Sequence, residues 1–252
     1  MMLFDTHAHY DDGMFDNDRD DIIKGLPAKG VGLILNVSCD METSLKSIGY
    51  AKRYEHVYAA VGVHPHDAKK GLETGRLEEL ARAHKVAAIG EAGLDYYYDN
   101  SPREQQLAVF EQQLETALKL DLPIIIHDRE AHNDCLEAVK RYKGVRGVFH
   151  CYSGSPEMAR EIIRLGMYIS FAGPITYKNA KRPVETAKSI PFDRLLIETD
   201  CPYLTPVPFR GKRNDSGYLI HTAERIAEIL GKRAEEVAEQ TYINGRMLIR
   251  IN

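Results

Sequence analysis

Short apolar runs recur along the chain, and each is followed by a polar segment in which apolar residues return at helical spacing. The runs stand at 3–9 (LFDTHAH), 32–38 (GLILNVS), 58–64 (YAAVGVH), 87–93 (AAIGEAG), 123–128 (PIIIHD), 147–152 (GVFHCY), 168–173 (YISFAG) and 195–200 (LLIETD). Such runs, bounded by turn residues, suit strands buried on both faces, as in a parallel sheet. The clearest helix begins at Ser101, where S-P-R-E offers an N-cap, Pro102 at N1 and Glu104 at N3. Leu107, Phe110, Leu114 and Leu118 then follow the helical period. A second helix covers 220–230, with Ile220, Ala223, Ile226 and Leu230 facing inward and Gly231 as terminator. Eight strand–helix alternations in 252 residues predict a (β/α)8 TIM-type barrel, a single α/β domain over 1–252. The competing doubly wound open sheet lacks its G-x-G-x-x-G turn after the first strand.

Composition supports a well-cored globular chain, 44% hydrophobic and 28% charged. A net charge of −4 excludes a protein held to nucleic acid by a basic surface, and leaves room only for a local basic patch. Cys39, Cys135, Cys151 and Cys201 are scattered and form no C-x-x-C pair, so neither a zinc ribbon nor a disulfide framework is expected. No apolar run approaches the roughly 20 residues of a membrane span, and the N-terminus lacks signal-peptide features. A cytoplasmic protein without membrane association or an obligate protein partner is expected.

The stretch D-T-H-A-H opens the chemistry. Read as a strand, Leu3, Asp5, His7 and His9 share one face. An isolated H-x-H fits a structural histidine pair as well as a metal site, so the remaining strands decide. A barrel carries its chemistry at the C-terminal strand ends, where this chain places His7, His9, His64, Glu91, His127, His150 and Asp200. Five of the ten histidines thus converge on one mouth. Singly, His127 fits a core histidine, Asp200 a turn cap before Pro202, and Glu91 a lysine partner. Jointly, buried polar groups from separate strands would each need its own partner, whereas one or two shared cations satisfy them all. His7, His9 and Asp200 are expected to hold one divalent ion and His127 and His150 another. Glu91 would bridge the two at the ~3.5–4 Å separation of two-metal sites. Imidazole-rich ligation suits Zn²⁺, Mn²⁺ or iron better than an all-oxygen Mg²⁺ site.

The same residues carry a family resemblance. H-A-H at 7–9, V-G-V-H-P-H at 61–66, G-E-A-G-L-D at 90–95, P-I-I-I-H-D-R-E at 123–130, H-C-Y-S-G at 150–154, E-T-D-C-P-Y-L-T-P at 198–206 and P-F-R-G-K-R-N at 208–214 resemble the TatD-related metal-dependent deoxyribonucleases of the amidohydrolase superfamily. The resemblance runs end to end. It implies a barrel hydrolase that cleaves DNA phosphodiesters with divalent ions, from a 3′ end of single strands, through His7, His9, Glu91, His127, His150 and Asp200 as ligands. One departure stands after R-G-K-R-N, where Asp215-Ser216-Gly217-Tyr218 replaces the family's usual E-P-A-Y.

The expected mechanism is attack by a metal-activated water, with Asp200 as general base, Glu91 bridging, and His64 donating toward the phosphate or supporting the ligands. Substrate contacts are expected from His64, Arg129, Arg210, Lys212 and Tyr96, with Arg213, Lys178, Lys181 and Arg182 adding charge and Tyr97 and Tyr98 available for stacking. Cys151 and Cys201 are expected to point outward under the helices, and Asp5 to support His7 from below. The rival reading is an esterase or amidohydrolase of the superfamily, such as a D-aminoacyl-tRNA deacylase. Many such amidases bridge their metals with a carboxylated lysine, and here the fourth strand offers Glu91. A non-catalytic scaffold would have no reason to retain six ligands.

Overall fold

All eight strands form in the computed structural model, which describes residues 1–251. They are β1 (Leu3–Ala8), β2 (Val31–Val37), β3 (Val57–Val61), β4 (Val86–Asp95), β5 (Ile124–Arg129), β6 (Gly147–Phe149), β7 (Tyr168–Phe171) and β8 (Leu195–Ile197), paired in parallel and in chain order. The helices that follow them are α1 (Arg19–Gly25), α2 (Met41–Arg53), α3 (Thr74–Ala81), α4 (Arg103–Leu120), α5 (His132–Arg141), α6 (Pro156–Arg164), α7 (Lys181–Ser189) and α8 (Leu219–Leu230). The sheet closes at its C-terminal rim. There Ala8 bridges Cys201, the Asp200 N–H donates to the His7 carbonyl at 2.9 Å, and the His9 N–H donates to the Cys201 carbonyl at 2.8 Å. The expected (β/α)8 barrel is therefore the fold. Among the described residues, no helix is long and apolar enough to cross a membrane.

Two apolar layers hold the strands. Ile89, Ile124, Ile126, Phe149, Ile169 and Ile197 face outward against helix residues such as Leu77, Phe110, Leu136, Ile162 and Ile226. Inside, Phe4, Leu35, Ala60, Ala88, Ile125, Val148 and Leu196 meet Leu248 and Ile249 of an additional helix, α9 (Ala234–Ile249). This helix seals the N-terminal end, so the interior is open only at the opposite rim.

β3, β6, β7 and β8 stop short of the apolar runs that announce them, and β4 extends to Asp95. His64, His150 and Asp200 consequently sit just past the last ladder residue, on backbone that still bonds its neighbours. The His64 N–H donates to the Cys39 carbonyl at 2.8 Å, and the His150 N–H to the Ile126 carbonyl at 3.0 Å. The expected cap of α4 is also displaced. Pro102 takes the N-cap position, while the Ser101 hydroxyl donates to the His66 carbonyl at 2.8 Å and accepts the Lys69 N–H at 3.0 Å. Leu118 is exposed, and the buried face of α4 includes Gln106 and Gln113. Gln113 clasps both backbone groups of Val63, and Gln106 those of Asp95, so α4 pins the chain beside His64 and beyond Glu91.

Simple alternation does not aim the ligand residues. From Phe4, an interior residue, it would send His7 and His9 outward. From Ala88 it would send Glu91 outward. Register shifts between Asp5 and Ala8, and between Ile89 and Ala92, reverse both. Such irregularities re-aim side chains beside active sites. Leu3 packs outward and does not share the face of His7 and His9. Asp5 is likewise turned from the expected role. Its carboxylate accepts from Thr199 N–H at 2.9 Å and from the Thr199 and Ser216 hydroxyls, each at 2.6 Å, and reaches His7 only at its backbone N–H, 3.4 Å away. Ser216, in the segment that departs from the family pattern, thus ties the β8 loop to β1.

β4 and β5 approach most closely at Gly93, whose φ is +141° and where a Cβ would stand 2.0 Å from the His127 carbonyl oxygen. Backbone on both sides must move to admit it. Gly93→Ala is expected to destabilise by about 1–3 kcal/mol, as overpacking does, and to lower the thermal midpoint. Gly75→Ala, in α3 with nothing within 4 Å, should leave the midpoint unchanged or raise it.

Candidate metal centre

Hydrogen bonds made by the outer edges of the rings dictate what the inner edges offer. His9 Nδ1 lies 2.8 Å from the Val37 carbonyl, which makes it the N–H and leaves Nε2 as a free lone pair. His150 Nδ1 faces Glu198 Oε1 at 3.2 Å, and His127 Nε2 faces Asp95 Oδ2 at 3.3 Å, freeing His150 Nε2 and His127 Nδ1. His7 is held by stacking on His150, ring centres 4.0 Å apart, and its Nδ1 is buried without a hydrogen-bond partner.

These inner nitrogens converge on Glu91. His7 Nε2 and His9 Nε2 lie 3.1 Å apart, 3.4 and 3.6 Å from Glu91 Oε2, and 3.7 and 3.3 Å from Asp200 Oδ1. On the other oxygen, Glu91 Oε1 is 2.7 Å from His127 Nδ1 and 2.9 Å from His150 Nε2, which are 3.3 Å from each other. His7 and His9 thus face one Glu91 oxygen and His127 and His150 the other, while His7, His150 and Asp200 also stand close enough to share one ion, as do His64, Glu91 and His127. Two nitrogens bound to one small cation at about 2.0–2.1 Å stand about 3–3.5 Å apart, so the first set has the edges of a coordination shell. Without a cation, protons must sit between these nitrogens and the carboxylates for them to approach so closely. The donor set therefore fits divalent metal.

Burial favours the neutral forms, and the neighbours decide against it. Burial would raise the Glu91 carboxyl, but His150, His64 and His7 bring it well below its ordinary range. Burial would raise Asp200 too, and His9 and His7 hold it down. His9 is pushed down by burial and carried well above the usual value by Cys39, Asp200 and Glu91. His150 follows the same course through Glu91 and Glu198, and His127, more mildly, through Asp95 and Glu91. His7 is lowered by burial and by His150.

His64 belongs to the same cluster with a different capacity. Its Nδ1 accepts the His66 N–H at 3.1 Å, so the neutral ring carries its proton on Nε2, 3.6 Å from Glu91 Oε1 and 3.3 Å from His127 Nδ1. Burial holds it well below the usual histidine value, hence neutral. It is a donor facing the centre.

The centre opens into a cavity of ≈1040 Å³ at the rim. Arg129 and Tyr98 line it. Tyr96, Arg210 and Lys212, three expected substrate contacts, are not among its lining residues. The Tyr96 hydroxyl donates to Asp134 at 2.8 Å and its ring lies under Arg103. Arg210 lies over Tyr177 and Lys212 over Phe209, while Arg213 is paired with Asp18 at 2.6 Å. Of these cations only Arg213 has an acidic partner among the described residues, and Arg210 and Lys212 rest on rings away from the lining residues. Lys178, Lys181 and Arg182 also lie off the cavity wall. Cys201 packs outward as expected, but Cys151 lines the cavity because it lies beyond the end of β6, where alternation no longer applies. Burial, with Glu198 and Asp200, pushes its thiol well up, so it is no thiolate nucleophile.

Sequence reasoning passed over Glu198 and Asp95, the two carboxylates behind the histidines. Asp95 stands four residues after Glu91 on β4, where an even spacing puts both on one face, whereas Glu198 lies past the end of β8 and the strand period does not announce it. Glu198 also accepts the Cys151 N–H at 2.8 Å and the Ser170 hydroxyl.

The family model described as TatD related DNase matches residues 4–250. The chain belongs to that family. Within it, the chain is 46% identical to the uncharacterized metal-dependent hydrolase YabD of Bacillus subtilis, with all of both chains covered. It is 34% identical to the 3′-5′ ssDNA/RNA exonuclease TatD of Cronobacter sakazakii, over 99% of this chain and 98% of that one. The crystal structure of the TatD homologue YJJV from Escherichia coli K12 superposes with a TM-score of 0.93 at 30% identity, covering 99% and 98% of the two chains. This protein is thus a metal-dependent hydrolase of the TatD family.

Two outcomes follow. Because His9, His127 and His150 hold protons above the usual histidine value when no cation is present, protons compete with metal for the same nitrogens. Metal affinity, followed by competition with a chromogenic chelator, should rise with pH from about 6.5 upward, and a flat profile would contradict this protonation scheme. Glu198→Gln, which keeps shape and loses charge behind His150, should weaken metal binding about 10–100-fold, the usual effect of such partners.

Proposed function

We propose that this hydrolase cleaves phosphodiester bonds of single-stranded DNA, working from the 3′ end, with two divalent ions held by His7, His9 and Asp200 on one side and His127 and His150 on the other. The observation that carries the reading is Glu91, which offers one carboxylate oxygen to each histidine set. The imidazole content favours Zn²⁺ or Mn²⁺ over Mg²⁺. When bound, such ions lower the pKa of a coordinated water and neutralise charge on phosphoryl oxygens.

The chain's own residues do the rest. Asp200 opens to the cavity and stays ionised, so it is the general base that accepts the nucleophile's proton. His64 presents its Nε2–H to the centre and donates to a phosphoryl oxygen. Arg129 supplies the remaining positive charge at the cavity wall. The 34% identity to a relative named as a 3′-5′ ssDNA/RNA exonuclease supports the substrate class.

The test is incubation with end-labelled single- and double-stranded DNA across Mg²⁺, Mn²⁺ and Zn²⁺, beside D-aminoacyl-tRNA. A ladder shortening from the 3′ end of the single strand is expected. Intact DNA with deacylated tRNA would overturn the reading in favour of an esterase. Asp200→Asn should cut kcat by about 10²–10⁴, the range of general acid–base catalysis, and activity within a few-fold of wild type would remove Asp200 as the base.

A further inference from the structure

The cavity wall carries one cation among several carboxylates. Asp11 and Asp12, just past β1, line one side, Asp67 lines it after β3 and Asp128 on β5. Across an eight-stranded barrel, β1 faces β5, which ends in Arg129, the one lysine or arginine along the cavity among the described residues. Arg129 follows His127 by two residues on the same strand face, which carries it about 6–7 Å beyond the ligand, of the order of one nucleotide step.

Arg129 is held without being neutralised. Its guanidinium carbon lies 4.2 Å from the Tyr97 ring centre and 4.6 Å from that of Tyr98, in the angle between two rings that are 86° apart. Stacking fixes the fork, yet among the described residues no carboxylate pairs with it. Both rings are largely exposed, 60% for Tyr97 and 54% for Tyr98. Asp95 sets this arrangement. Its Oδ1 accepts the Tyr97 and Tyr98 N–H groups at 3.0 and 2.9 Å, while its Oδ2 receives His66 at 2.8 Å and His127 at 3.3 Å. One buried carboxylate therefore fixes a metal-facing histidine and the rim beside it.

We propose that Arg129, braced by Tyr97 and Tyr98, is a second anion subsite that binds the phosphodiester adjacent to the scissile one, with Tyr98 offering its ring to the neighbouring base. The inference rests on the nucleic-acid reading above. It gives the strand a single cationic foothold beside the centre, at the end of β5, on a wall otherwise lined by Asp11, Asp12, Asp67 and Asp128. Asp95 is a positioning residue that keeps this subsite in register with His127.

Fluorescence anisotropy of labelled hexathymidylate on EDTA-treated protein, repeated over a salt series, tests the subsite without any catalytic readout. Arg129→Ala should weaken binding about tenfold and reduce the slope of log K against log[salt] by about 0.7, the value for one single-strand phosphate. Tyr98→Ala should weaken binding with the slope unchanged, as loss of stacking does. An Arg129→Ala slope equal to that of wild type overturns the subsite. If wild type cleaves the DNA ladder while that slope is unchanged, only the subsite falls. If wild type neither binds nor cleaves the oligonucleotide, the nucleic-acid reading falls and the subsite with it.

Discussion

The structure is organised around one buried carboxylate facing five imidazole nitrogens. Glu91 is almost wholly withdrawn from water, and both of its oxygens are surrounded by ring nitrogens rather than by backbone donors. Burying an ionised carboxylate is costly unless positive charge compensates it. Here compensation comes either from protons on His9, His127 and His150 or from divalent cations that replace them. Substrate turnover depends on the second state. The register shifts in β1 and β4, the Gly93 contact and the glutamine clasps from α4 all serve to hold that carboxylate and its partners in place.

Around this centre the rings are oriented from behind by groups that belong to other strands. Val37 fixes His9, Glu198 fixes His150, and Asp95 fixes His127. Because these are outer hydrogen bonds, each one selects the tautomer whose lone pair faces inward. His64 is the exception, since its inner nitrogen keeps a proton. A single ring environment thus yields inward lone pairs and an inward donor side by side.

The barrel was legible in the chain because strands buried on both faces write themselves as apolar runs. The cluster was legible because five histidines at four such run ends have no bland joint explanation. What stayed hidden depends on pairings far apart in sequence. Asp5 meets Thr199 and Ser216 across the closure of the barrel, which no periodicity announces. Tyr96 turns to Asp134, and Arg210 and Lys212 rest on aromatic faces, pairings that no local pattern announces. The inward turn of His7, His9 and Glu91 needs two irregularities that local pattern cannot supply, and strict alternation would have sent Leu3 inward with them. Cys151 failed for the complementary reason, being read as strand where the strand had already ended.

The claim on which the account stands is that Glu91 serves two cations at once. Titrating metal-free protein with Mn²⁺ or Zn²⁺ while recording bound metal by elemental analysis and hydrolysis on the same samples tests it most directly. The account predicts saturation at two ions per chain, with hydrolysis appearing as the second is filled. Saturation at one ion per chain, with hydrolysis already complete, would contradict it.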